Sequence, residues 1–555
     1  MLVTWNGTDA PALSGYSAAS ADTDRCLGNV FPGGSPTPTP KTVATPHRYV
    51  NYDRSRNLLE FGADHFGLKS LFFWVDCGTL HLSSSMDELL RLFRRRKINP
   101  SIPRDSLMEQ LIFRYNTGER TLVKGIRRAE PGYLYRCDGN LQFSRECSWD
   151  SDFRGDYLKA TDDEIVEEID GRFASVIRDY RIDDPGSIAV ALTGGIDSSY
   201  MQAHLTDVYG DALFSFSMQY REDGDVYDET GYALSASSSL GTRHTIYTMT
   251  RDDFFRSIPE AIVAAQYPLD QVHNTQNFWT QRQLPPQKRF VFSGFGADAS
   301  FGSGIGKFWL SLKLSPYRGI AGPFLRLLGA LGGETRRQQS RRLTGYWGKI
   351  ERVDDAIAFL PELDSPVDFT LVKEMFTAKE IEEIWSPKLM LIRSKRLRSI
   401  ADMIFALKLY SLSATLSSQN RAGQAIGREV CFPFCDRRIM EYTKDVSPEQ
   451  KHRHWGLTTK HLLKKAALRR VPEFIINRPK RSGELPIKAW MRQGLFDEFL
   501  RDHEHVDLGI DYEKLKRCSL QPGKYNDFML WSYVNTVLWK ELYLKQFGTV
   551  EVAAA

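Results

Sequence analysis

Ser187-Ile188-Ala189-Val190-Ala191-Leu192-Thr193-Gly194-Gly195-Ile196-Asp197-Ser198-Ser199-Tyr200 is the stretch from which the rest of the chain can be read. A short apolar run is followed by small and polar residues and then by a helical pattern, which predicts a buried strand, a tight turn and a helix. Gly194 and Gly195 let the backbone approach a ligand closely, and the helix start beyond them offers unpaired N–H groups and a positive dipole end to an anion. Thr193, Ser198 and Ser199 add hydroxyl donors. Asp197 would be repelled by a phosphate unless a divalent cation lay between them, so its presence implies magnesium. Glycine and a capping Ser or Asp are common at strand-to-helix junctions of purely structural importance. The full run of hydroxyl, two glycines, an acid and two serines is more specific and reads as a phosphate-binding loop.

Outward from this loop the texture repeats. Leu213 to Phe216, His244 to Tyr247 and Phe290 to Phe292 are short apolar runs separated by helical patterns. Upstream, Thr161-Asp162-Asp163-Glu164 is a capping box, and Ile165, Ile169, Phe173, Val176 and Ile177 follow at helical spacing. Strand and helix in alternation predict a parallel sheet covered by helices on both faces. Beyond about residue 350 the pattern is mostly helical. From Tyr49 to Phe143, clusters such as Leu71 to Val75 and Leu80 to Leu82 alternate with turn signals such as Asp76-Cys77-Gly78 and Cys137-Asp138-Gly139, the texture of a β-rich domain. The reading is an α/β protein with a β-rich front domain over residues 1–150 and a parallel-sheet domain with a helical C-terminal part over 151–549. Residues 550–555 read as a tail, and the Pro/Thr-rich segment from Pro32 to Pro46 as an exposed connection.

Composition narrows the partners. The 555 residues carry 73 basic and 69 acidic side chains, so no global field calls for nucleic acid or an anionic membrane. The basic runs Arg94-Arg95-Arg96-Lys97 and Arg336-Arg337 through Arg341-Arg342 read as solvated faces. Seven scattered cysteines argue against a disulfide framework, and Cys431 with Cys435 lacks a second pair at zinc spacing. No basic segment leads into an apolar core at the start. The most apolar stretch, Gly319 to Gly333, is broken by Arg326 and falls short of a membrane span. A cytoplasmic protein with neither nucleic-acid nor membrane partners is expected.

The loop from Thr193 to Ser199 resembles the pyrophosphate-binding loop of the ATP pyrophosphatase superfamily, with Thr193 where that loop usually begins with Ser. Further segments resemble the asparagine synthetase branch in order along the chain. They are Asp64-His65-Phe66-Gly67-Leu68-Lys69, Lys124-Gly125-Ile126 through Pro131-Gly132, Phe214-Ser215-Phe216-Ser217-Met218 and Tyr227-Asp228-Glu229. Later come Phe292-Ser293-Gly294-Phe295-Gly296-Ala297-Asp298, Arg428-Glu429-Val430 through Pro433-Phe434-Cys435-Asp436, and Asn477-Arg478-Pro479-Lys480. The resemblance implies a front domain of the N-terminal-nucleophile glutaminase type followed by an ATP pyrophosphatase domain. It also implies ATP and Mg2+, and the joining of a carboxylate, activated as an acyl-adenylate, to an amine with release of AMP and pyrophosphate.

By resemblance, the backbone near Ala191, Leu192 and Met218 holds adenine. The loop residues Thr193, Gly194, Gly195, Asp197, Ser198 and Ser199, with Gly294 and Gly296, hold the phosphates. Asp197 and Asp298 share magnesium, and Lys460 and Lys480 face the pyrophosphate and the acyl-adenylate. Phe295, Asn420 and Glu429 fall at the substrate pocket.

The pattern breaks in the front domain. Glutamine-using members work through an N-terminal cysteine, whereas this sequence reads Met1-Leu2-Val3 and has its first cysteine at Cys26, which cannot supply a free α-amine as base. The front domain therefore reads as a degenerate glutaminase retained as scaffold, and the amine is expected to arrive with the substrate. Members of that kind include β-lactam and carbapenam synthetases and lasso-peptide cyclases. β-Lactam synthetase has a Tyr, paired with a Glu, where this chain has Phe295, and the matching later segment here is Asn420-Arg421. Phe295 exchanges no proton, whereas an α-amine, titrating near neutrality, needs less help from a base. The leading expectation is macrolactam closure of a lasso precursor peptide, with a leader peptidase and a precursor-recognition protein as partners. Other amide ligases, ammonia-dependent asparagine synthesis, tRNA thiolation and a nucleotide-binding scaffold are the alternatives.

One expected outcome follows directly. Glutamine is neither hydrolysed by the protein nor stimulatory, and glutamate release matching AMP formation in a coupled assay would show the front domain to be active.

Overall fold

The computed structural model describes residues 2–8, 12–14, 48–147, 153, 155–210, 213–222, 225–227, 230–302, 306–331, 344–345, 347, 349–454, 457–478, 485–503, 506–521 and 526–552. The front part carries two antiparallel sheets. In one, β1 (Leu2–Trp5), β2 (Ala12–Ser14), β5 (Phe72–Asp76), β6 (Thr79–Ser83) and β8 (Arg127–Arg128) run in the order β2-β1-β6-β5-β8. In the other, β3 (Arg48–Asp53), β4 (Leu58–Ala63), β9 (Tyr133–Asp138) and β10 (Phe143–Cys147) run in the order β10-β9-β4-β3. Alternate residues of both, among them Trp5, Val50, Phe61, Phe73, Leu82 and Tyr135, meet in one apolar layer. The β-rich expectation for this part holds.

The second part is built on a sheet of β11 (Ile188–Ala191), β12 (Phe214–Glu222), β13 (Asp225–Tyr227), β14 (Arg243–Met249), β15 (Phe290–Ser293) and β16 (Glu429–Cys431). Strands β11, β12, β14, β15 and β16 pair in parallel, and β13 folds back antiparallel on the end of β12. β12 lies on one side of β11 and β15 on the other. This reversal of strand order opens a crevice at the carboxyl end of β11, where open parallel sheets bind ligands. The spacing of Ile165, Ile169, Phe173, Val176 and Ile177 does form a helix, Asp162–Asp179, with the predicted capping box at Thr161 and Glu164. Its apolar face packs on Val190, Phe292 and the helix His461–Ala467.

Two features differ from the sequence reading. The residues taken as a tail include a strand, β17 (Glu551–Val552), which pairs in parallel with β7 (Ser101–Ile102) while Val550 and Val552 pack on the main core. Backbone pairing and apolar burial outweigh the small-residue composition that suggested a tail, and 553–555 lie outside the described residues. β16 was not foreseen, because three residues carry too little alternation to register as a strand.

The two parts share their largest core. Helix residues Leu89, Phe93, Leu111 and Ile112 of the front part belong to the same apolar cluster as Ile258, Trp385, Leu416 and Trp531. The 26-residue helix Ile400–Ala425 is long and apolar enough to cross a membrane, yet 72% of its most apolar window is buried inside the molecule, as in a core helix. Cys77, Cys137, Cys431, Cys435 and Cys518 carry free thiols. Arg94 to Lys97 are exposed as expected, whereas Arg336 to Arg342 and the Pro32 to Pro46 segment lie outside the described residues.

Candidate functional site

At the end of β11 the chain turns on Gly194, whose φ of +68° is a left-handed conformation. A Cβ at this position would lie 2.4 Å from the Tyr232 carbonyl carbon and 2.6 Å from the Ala233 nitrogen, so the turn also needs the absence of a side chain. Gly195 then caps the helix Ile196–Tyr209 without a side-chain acceptor, leaving the first-turn N–H groups to a ligand. The hydroxyls read as phosphate donors are used differently. The Ser198 Oγ accepts the Thr193 N–H at 3.1 Å and donates to the Gly195 carbonyl at 3.2 Å, closing the loop on itself. The Ser199 side chain is fully buried. Thr193 Oγ1 is the hydroxyl at the exposed side of the loop, 3.2 Å from Ser198 Oγ.

The Gly294-Phe295-Gly296 turn at the end of β15 lies directly against this loop. A Cβ on Gly294 would stand 2.9 Å from the Ser198 nitrogen, and one on Gly296, with φ +99°, would be 2.2 Å from Cys435 Sγ. Gly294 is therefore fixed by backbone proximity and Gly296 by its left-handed φ and the Cys435 side chain, and the second brings Asp298 into the first turn of a short helix, Ala297–Ser300. Phe295 packs edge-on to Phe432 with ring centroids 6.5 Å apart. Ala191 and Leu192 sit beside β12, with the Leu192 N–H donating to the Phe216 carbonyl at 2.8 Å, and Met218 lies farther along the same strand.

Lys460 joins these pieces. Its Nζ lies 2.6 and 2.7 Å from the two Asp197 carboxylate oxygens and 2.5 Å from Asp298 Oδ1. Lys460 is 5% exposed and caps the helix His461–Ala467 in a left-handed conformation, φ 55°, uncommon for a residue with a side chain. Burial acts to lower its pKa, but the Asp197 and Asp298 carboxylates outweigh burial and raise it above the ordinary lysine value. The two carboxylates thus converge on one cationic point. That donor set fits a hard divalent cation completed by phosphate oxygens, which commonly rests on only one or two protein carboxylates.

Asn420 and Glu429, expected at the substrate pocket, make their contacts elsewhere. Asn420 is buried and gives its amide to the Leu68 carbonyl at 2.9 Å, and Glu429 pairs with Lys69 and accepts from the Gln424 amide at 3.3 Å. Both residues meet the front-domain loop rather than the Lys460 cluster. Lys480 falls outside the described residues. Its neighbour Arg478, which sequence reasoning quoted but gave no role, donates to the Thr193 carbonyl at 3.2 Å and stacks on Tyr232 at 4.5 Å. The Asn477-Arg478-Pro479-Lys480 motif was the available signal for Arg478.

The loop geometry ranks the glycines. Gly194→Ala should weaken nucleoside-triphosphate binding by at least about tenfold, since it combines a left-handed φ with a backbone collision. Gly195→Ala should be much milder, because φ is −83° and the nearest contact is Thr193 Oγ1 at 3.3 Å. Calorimetric titration with ATP checks this order, and equal losses in both variants would contradict the loop as described.

Residues 178–540 match the family described as Asparagine synthase. Asparagine synthetase [glutamine-hydrolyzing] 1 of Bacillus subtilis is 22% identical over 469 residues, covering 82% of this chain and 70% of that protein. A putative asparagine synthetase [glutamine-hydrolyzing] of Mycobacterium tuberculosis is 24% identical over 509 residues, with 87% and 74% covered. Amidase chry2 of Gibberella zeae is 23% identical over 270 residues, with 46% and 39% covered. The family match spans the phosphate loop, the Gly294 turn and Lys460 together, and the chain belongs to the asparagine synthase family, whose members are ATP-using amide synthetases.

Proposed function

We propose that the protein forms an amide bond through an acyl-adenylate, releasing AMP and pyrophosphate, and that its reaction is macrolactam closure of a lasso precursor peptide. The observation that carries the adenylating part is the convergence of Asp197 and Asp298 on Lys460 beside the Gly194 turn. The N–H groups at the start of Ile196–Tyr209 hold the phosphates of ATP, with Ala191, Leu192 and Met218 along the adenine. Asp197 and Asp298 hold Mg2+, which when bound neutralises phosphate charge. The Lys460 ammonium turns from the carboxylates to the departing pyrophosphate. The substrate carboxylate oxygen attacks the α-phosphorus, breaking its bond to pyrophosphate. The amine then attacks the acyl carbon, AMP leaves, and Lys480 stabilises the oxyanion.

The narrower part rests on the substrate side. Phe295 carries no exchangeable proton, and the Asn420 amide is committed to Leu68, which suits an amine that is partly neutral on its own. A peptide N-terminus attacking an activated Asp or Glu side chain of the same molecule meets that condition. A leader peptidase and a precursor-recognition protein would supply such a peptide. The names of the relatives favour a second reading, asparagine formation from aspartate and ammonia.

Turnover should require magnesium and yield AMP plus pyrophosphate, and Asp197→Ala or Asp298→Ala should abolish it. Product analysis by chromatography checks this, and ADP with phosphate would reject adenylation. Given a leader-free core peptide, the enzyme should yield a product lighter by one water. Acetylating the peptide amine should stop product while pyrophosphate exchange persists. Synthesis of asparagine from aspartate and ammonia would reject the macrolactam reading and leave adenylation intact.

A further inference from the structure

A small cavity of about 30 Å³ lies between the front part and the helix Ile400–Ala425, and none of its lining residues belongs to the phosphate loop or the Gly294 turn. Four guanidiniums line it, from Arg114, Arg120, Arg128 and Arg421. Their partners differ. Arg120 is matched by the buried Glu109 at 3.2 Å and by Asp105 at 3.5 Å. Arg114 donates to Gln271 at 3.0 Å and sits over the Phe528 ring. Arg421 donates to the Ala265 carbonyl at 2.8 Å and the Ser70 hydroxyl at 3.1 Å, both neutral. Arg128 donates to the Asn116 carbonyl at 3.3 Å, and its buried Nε–H has no acceptor among the described residues.

The acid on the cavity wall is Asp270, on which the Arg114 charge already acts, while Glu130 and Glu109 act on Arg128 from behind the wall. Asp270 already accepts from Asn274 at 2.5 Å and from Thr415. On the lining itself guanidiniums outnumber carboxylates, and the hydrogen bonds given for Arg128 and Arg421 go to neutral groups. Burial first, and then the charge of Arg128, push the Arg421 pKa down to about 10, the direction a missing counter-charge produces. Uncompensated buried charge is costly, and a planar fork of N–H donors matches the two oxygens of a carboxylate or phosphate.

We propose that this cavity binds a small oxyanion, a carboxylate or a phosphate, between Arg128 and Arg421. The site is separate from the nucleotide crevice and does not depend on the reaction assigned there. It joins a front-domain loop to the Ile400–Ala425 helix, so an anion there ties the two parts together.

The test is thermal unfolding of the full chain with acetate, succinate or inorganic phosphate against sodium chloride at matched ionic strength. At least one oxyanion should raise Tm saturably by about 2 °C or more. Arg421→Met and Arg128→Met should remove the rise, and Gly194→Ala, which breaks only the nucleotide loop, should keep it. In anion-poor buffer Arg128→Met should be at least as stable as the parent, because it removes surplus charge. The proposal is overturned if no oxyanion acts, if the response survives both Arg variants, if it disappears with Gly194→Ala, or if Arg128→Met fails to fold.

Discussion

The ammonium of Lys460, held between Asp197 and Asp298, is the interaction on which the crevice depends. Each member comes from a different segment: the helix after β11, the turn after β15, and the left-handed residue that opens His461–Ala467. An ammonium 5% exposed is tolerable only with its counter-charges in place. Removing one partner of a fully buried pair costs on the order of 3–5 kcal/mol. The cost here is smaller, because the Asp298 side chain is 52% exposed and water screens its share. The sign is fixed by the raised pKa. The stabilisation is complete below the ordinary lysine value of 10.5 and is lost only as pH rises through the higher folded value. Near neutrality the Lys460 ammonium is therefore fully charged.

A second constraint fixes the crevice floor from the front part. The Asp64 carboxylate accepts the N–H groups of Phe66, Leu68 and Lys69 at 3.0, 3.2 and 2.9 Å, which curls the loop and turns its carbonyls outward. Those carbonyls are met by the synthetase part, Phe66 by the Ser413 hydroxyl and Leu68 by the Asn420 amide. His65 reaches the Cys435 carbonyl at 2.9 Å, and the Cys435 sulfur stands where a Cβ on Gly296 would be. The front loop thus touches the same short turn that shapes the approach to Asp298.

How much of this was legible follows from the range of the interactions. The phosphate loop, the capping box at Thr161 and the alternation of strands and helices are local patterns, set by residues a few positions apart, and the sequence shows them. The Lys460 cluster spans segments far apart in the chain, and a lone lysine before a helix has no local signature; only the resemblance pointed to it. Ser198 illustrates a different failure. Its hydroxyl was legible as a donor, but whether it faces a ligand or its own loop depends on a turn geometry that composition does not encode. Asn420 and Glu429 were read as pocket residues because they match family segments, while their partners Leu68 and Lys69 lie in the other part of the molecule.

This last pairing bears on how the front part is tied to the rest of the molecule. Its helices contribute Leu89, Phe93, Leu111 and Ile112 to the core that also holds Trp385 and Trp531, and Ser532 donates to the Gln110 carbonyl at 2.5 Å. Cutting the chain near residue 150 would expose that apolar surface, strand the Leu68 and Phe66 partners, and leave Glu429 without the Lys69 charge. The front part is therefore part of the synthetase fold in the physical sense, and the loop from Asp64 to Ser70 is held in place by the packing of the second part against it.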